Sequence, residues 1–95
     1  MFARLAVFEG QPERFVEGHK YTYVLDALGE VPGFQRAYHL RDVANDRALS
    51  ISFFDDEASA RVGEVAVANA RLRLGLEGSP PTSTAACEVV ATAGD

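Results

Sequence analysis

His19 and Asn69 are the residues whose type and setting best suit catalysis. An imidazole titrates near neutrality, so His19 can act as a general base and take a proton from a phenol-like hydroxyl in a dry pocket. On a helix His19, Thr22 and Asp26 fall within about 60° of arc, with Phe15 in the same stripe, and make a polar line between two apolar arcs. Tyr23, one turn on, is placed to orient the imidazole, and Thr22 and Tyr23 are the candidate substrate contacts. Asn69 is flanked in helical projection by Val62, Val65 and Leu72, and an amide on an apolar face needs a partner to offset its desolvation. Such an amide can donate to a substrate carbonyl or an oxyanion. Each residue also has a structural alternative: a solvated or hydrogen-bonded helix residue for His19, and a bond to a strand, a water or a partner chain for Asn69.

Other side chains are read as structural. Arg4 interrupts an otherwise apolar strand, so its guanidinium must reach solvent, a carboxylate or a ligand, and an ion pair within or between subunits is expected. His39 shares a strand face with Gln35 and Ala37, opposite Phe34, Arg36 and Tyr38. Cys87 sits inside a strand with no His nearby in sequence, as a small buried apolar side chain does. There is no glycine-rich phosphate loop, no paired-cysteine motif and no His-x-x-x-His or His-Glu-x-x-His spacing, so no metal or cofactor is expected.

The elements that must position these residues follow from the patterning. Residues 2 to 8, FARLAVF, read as a strand, and Pro12 opens a helix that runs to Leu28 and stops at Gly29. Residues 34 to 40 and 48 to 54 are aromatic or β-branched runs joined by a turn-like Ala44-Asn45-Asp46, an antiparallel hairpin. In the second run Leu49, Ile51 and Phe53 share one face and Ser50, Ser52 and Phe54 the other. Asp55-Asp56-Glu57 precedes a second helix over 58 to 74, whose Ala58, Val62, Val65, Ala66, Leu72 and Leu76 gather on one side. A last strand covers 84 to 92. The order predicts an α+β, ferredoxin-like βαββαβ fold: a four-stranded antiparallel sheet with both helices on one face. Both parities of the first and last strands are largely apolar, so both sheet faces should be covered. Two helices cover one; a second copy, sheet against sheet, is expected on the other.

With 95 residues, 47% of them hydrophobic, the chain makes one domain, 1–95, short enough that self-association is expected. Nine Lys and Arg against 14 Asp and Glu leave a formal charge of −5 without a basic cluster, which argues against a nucleic-acid partner. No apolar run approaches the roughly 20 residues of a membrane span, and the opening residues lack the pattern of a secretory signal. The single Cys fits a reducing compartment, with the cytoplasm as the expectation.

Several segments, in order, resemble the antibiotic biosynthesis monooxygenase-like family of dimeric α+β barrels: MFARLAVFEG, Val31-Pro32-Gly33-Phe34, GFQRAYHL, RALSISFF, FFDDEASA and CEVVAT. The resemblance covers nearly the whole chain. It implies a homodimer whose two sheets form a barrel, each subunit holding a cavity between sheet and helices, with Phe15, Gly18, His19, Thr22 and Leu25 pointing inward. It also implies, as one activity within the family, a cofactor-independent monooxygenase acting on an aromatic or quinol-like small molecule in an apolar cavity. The family's haem-degrading members use an Asn, Trp and His constellation; this chain has no Trp, so that role is not carried over. The alternative is a non-catalytic ligand-binding or structural dimer, its interior filled by Phe2, Phe8, Phe34, Phe53 and Phe54. Isomerase or lactone chemistry lacks a second acid-base partner for His19.

Overall fold

Alternating side chains, tight turns and two helical stretches build a sheet with helices on one side. The computed structural model describes residues 1–16, 22–75 and 80–94. The elements are β1 (Phe2–Glu9), α1 (Thr22–Gly29), β2 (Phe34–Asp42), β3 (Arg47–Phe54), α2 (Glu57–Arg73) and β4 (Ser83–Glu88). All strand pairs are antiparallel, in the order β2-β3-β1-β4. This is the α+β, ferredoxin-like arrangement that the order of elements predicts. Among the described residues no helix is long and apolar enough to cross a membrane.

Strand register sorts the side chains onto two faces. Ala48, Ser50, Ser52 and Phe54 of β3 lie opposite Phe8, Ala6, Arg4 and Phe2 of β1 and form the inner face, beneath the helices. Leu49, Ile51 and Phe53 pair with Val7, Leu5 and Ala3 on the outer face. The polar-looking parity of β3 therefore faces inward. The helices lie close enough to the sheet that small residues are what fits beneath them.

The same close approach corrects the expected orientation of α2. Its buried residues are Ala60, Gly63, Val67 and Ala70, while Val62, Val65 and Leu72 are more than half exposed; Leu76 lies outside the described residues. A Cβ at Gly63 would stand 2.6 Å from Cζ of Phe54, a side chain with no exposed surface. The helix thus presents its narrowest face to a large ring, and the branched side chains are left outside. Leu28, Val31, Ala60 and Val67 complete the cluster around Phe54. Asp56 caps α2 by accepting a hydrogen bond from the Ser59 amide at 2.8 Å.

Three further expectations change. Residues 12–16 form turns rather than regular helix, with the Arg14 and Val16 amides donating to carbonyls three residues back; this tighter winding carries Arg14 against Phe8. In β2 a register shift between Phe34 and Arg36 makes Gln35 the extra residue. Phe34 thereby joins the inner face, packing edge-on to Phe54 at 5.8 Å between centroids, with Ala37 and His39 further along the same face. Finally β4 stops at Glu88, one amide beyond it, Val89, still bonding to Met1 at 2.9 Å, and Cys87 is exposed rather than buried.

Candidate functional site

A cavity of about 30 Å3 lies between the inner face and the helices. The sheet contributes Arg4, Ala6, Phe8 and Ser50, the 11–16 turn Arg14 and Phe15, α1 Tyr23 and Val24, and α2 Val67 and Arg71. Its wall mixes aromatic rings with three arginine side chains, so it is not the purely apolar space that was expected.

Each arginine arrives there for a local reason. Arg14 is 6% exposed, its Cζ 3.9 Å from the centroid of the Phe8 ring, a cation stacked on an aromatic face, and its Nη1 donates to Gln11 Oε1 at 3.1 Å. Arg4 sits on the inner parity of β1, with its Nε 3.6 Å from Glu64 Oε2 on α2, the intrachain ion pair its place in an apolar strand required. Arg71 follows Val67 by one helical turn. Its Nε is buried and meets no hydrogen-bond acceptor among the described residues, an arrangement that costs free energy until an acceptor arrives.

His39 stands behind this wall. Its ring stacks on Phe15 with centroids 3.9 Å apart, and its Nε2 is buried without a hydrogen-bond partner among the described residues. Burial, and secondarily the charge of Arg14, hold its pKa below the ordinary value of 6.5. The neutral imidazole is the favoured form.

The residues singled out in the sequence do not converge. Tyr23 is buried in the cavity wall. Thr22, at the start of α1, is exposed. Asn69 is exposed on the outward side of α2, beside an open groove of about 420 Å3 lined also by Arg61, Val62, Val65 and Ala66. The expectation that it lies on a buried apolar face is corrected with the helix that carries it. His19 lies outside the described residues, as does Gly18. Sequence reasoning missed Arg14, Arg71 and the burial of His39. For Arg71 a signal existed: it continues the small-residue stripe of Ala60, Gly63 and Val67 at helical spacing. Among the described residues no three His, Cys, Asp or Glu side chains gather as metal ligands.

No family profile matches the sequence, and comparison with curated proteins finds no match. Solved structures do match. A monooxygenase from the gene ActVA-Orf6 of Streptomyces coelicolor, in complex with the ligand Nanaomycin D, superposes with a TM-score of 0.69 at 19% identity, covering 99% of this chain and 91% of that one. A protein of Chloroflexus aurantiacus J-10-fl assigned as an antibiotic biosynthesis monooxygenase gives a TM-score of 0.64 at 12% identity, with 98% and 96% covered. The fold is that of the antibiotic biosynthesis monooxygenase-type proteins. SnoaB, a cofactor-independent oxygenase from Streptomyces nogalater, shares that fold too, with a TM-score of 0.66 at 17% identity over 96% of this chain and 92% of its own. At these identities the likeness to the monooxygenase-type structures is one of fold, and activity must be argued from the site.

Proposed function

We propose that the chain is a cofactor-independent monooxygenase that holds a phenolic aromatic between sheet and helices, in a homodimer joined sheet against sheet. The observation that carries this reading is the whole-chain structural match to a monooxygenase in complex with the ligand Nanaomycin D, together with a match to a second oxygenase that needs no cofactor. The cavity wall supports it through Phe8, Phe15 and Tyr23, which offer ring faces to a planar guest.

The chemistry places few demands on the protein. A phenol loses its proton to a base, for which His19 is proposed, and the ring carbon para to the oxygen becomes electron-rich. That carbon forms a bond to dioxygen, and its hydrogen leaves as a proton. The O–O bond then breaks; one oxygen departs as water and the other remains as a quinone carbonyl. With 1-naphthol the products are 1,4-naphthoquinone and water, and the substrate supplies every electron. The protein contributes orientation, ionisation of the phenol and exclusion of water. Tyr23 is the proposed substrate contact. Thr22 and Asn69, both exposed, carry no step in this scheme.

The homodimer rests on the outer sheet face. Rows such as Tyr38, Ile51, Leu5 and Ala85 run across all strands there, and Tyr38 and Leu40 are more than a third exposed in the single chain. A contiguous apolar face of this kind fits an interface with a second copy.

The test is oxygen uptake with 1-naphthol and a panel of phenols having a free para position. Protein-dependent uptake matched by quinone formation is expected, and His19→Ala should reduce it by about tenfold, less than the usual general-base contribution of about a hundredfold or more. Uptake at the rate of the protein-free control across the panel would overturn the oxygenase reading. It would leave the non-catalytic ligand-binding or structural dimer, which the small volume of the cavity favours.

A further inference from the structure

We propose that the arginines of the inner cavity select the ionised form of the phenol, so that the substrate binds as a planar aromatic oxyanion and guanidinium charge, more than any single base, drives its ionisation. This deepens the proposed function and rests on its placement of the ligand between sheet and helices. Three of the nine basic residues of an acidic chain line this one cavity, and among the described residues no carboxylate lines it. Such a distribution is the reverse of the molecule's net charge of −5.

The charges of Arg4 and Arg71 are incompletely answered. Glu64 stands 3.6 Å from Arg4, but its side chain is 56% exposed and the contact is shared with solvent. The buried Nε of Arg71 has no acceptor among the described residues. An oxyanion entering the cavity supplies one, and charge-assisted bonds from guanidinium to an anionic oxygen are the stronger class. His39, behind Phe15, does not cancel the field, since it is itself held neutral by burial and by Arg14. Of the two effects that disfavour an imidazolium there, burial is the larger, and the second, the charge of Arg14, favours an anion.

Size agrees with an oxygen-first pose. The 30 Å3 of enclosed room corresponds to about two water positions, enough for a phenolate oxygen and its carbon. The ring then extends out toward the mouth of the cavity.

The probe is 4-nitrophenol, whose para position is blocked against oxygenation and whose ionisation is read by its visible absorbance. Titrated with the full chain, its bound form should ionise at least about one pH unit below the free form, which means the phenolate binds about tenfold more tightly than the phenol. Arg71→Gln should remove a third or more of that shift, and Arg71→Lys should retain most of it. A bound midpoint equal to or above that of free 4-nitrophenol would overturn the inference, and so would an unchanged shift in a folded Arg71→Gln variant. The outcome is separable from that of the oxygenase reading. Anion-selective binding without oxygen uptake from 1-naphthol sustains this inference and sinks the activity; uptake with no ionisation shift does the opposite.

Discussion

His39 is neutral in the fold because burial and then Arg14 both disfavour its cation. Unfolded, the same side chain returns to a value near 6.5 and takes up protons that the folded state refuses. Stability from this group is therefore complete above 6.5 and is lost as pH falls from there to the lowered folded value, below which the slope ends. Urea unfolding midpoints measured over that interval should decline in the wild type and decline less in His39→Phe, which retains a ring to stack on Phe15; parallel declines would contradict the assignment. At this scale the sequence was a partial guide. Tyr23 was legible as a site residue but not as a buried one, because the inward arc was expected to carry Thr22 and Leu25, both of which are exposed. Arg14 was not legible, since its burial depends on stacking against Phe8, a residue of another element that no local spacing reveals.

The second helix shows how packing overrides apolar patterning. Its bounds follow from the acidic run before it and the glycine after it, within one residue at each end of the 58 to 74 expected. Its buried face does not, because counting hydrophobic side chains favours valine and leucine, whereas the helix buries Ala60, Gly63 and Ala70 with Val67, and at Gly63 the space above Phe54 does not admit even a Cβ. Gly63→Ala should consequently destabilise the protein by about 1–2 kcal/mol, the cost of overpacking exceeding the gain in helix propensity. Gly29→Ala, where an added Cβ meets nothing within 4 Å, should instead stabilise by about 0.5 kcal/mol. Thermal or urea unfolding of the two variants checks both signs, and a stabilising Gly63→Ala would mean that helix and sheet are further apart than described. The bulge at Gln35 escaped the sequence for a related reason: an extra residue leaves the apolar run intact while moving Phe34 to the other face.

For the molecule as a whole, strand and helix order sufficed to place the fold, because four strands and two helices in this sequence have few ways to bury one face each. The outer face of the sheet was also legible, as the second apolar parity of β1 and β4. What covers it is a prediction. Sedimentation should show a dimer, and Ile51→Lys, in the middle of that face, should shift the equilibrium to monomer without loss of helical signal; a monomer in the wild type at all concentrations would contradict it. The central claim, that an aromatic guest lies between sheet and helices, is tested most directly by a methyl NMR titration with 1-naphthol under argon. Three valines of α2 make the comparison internal. Val67 is buried at the cavity wall, whereas Val62 and Val65 line the outward groove beside Asn69. The account predicts saturable shifts at Val67 and Val24 with Val62 and Val65 unmoved. Shifts confined to Val62 and Val65 would put the ligand beside Asn69, on the other side of the helix, and contradict it.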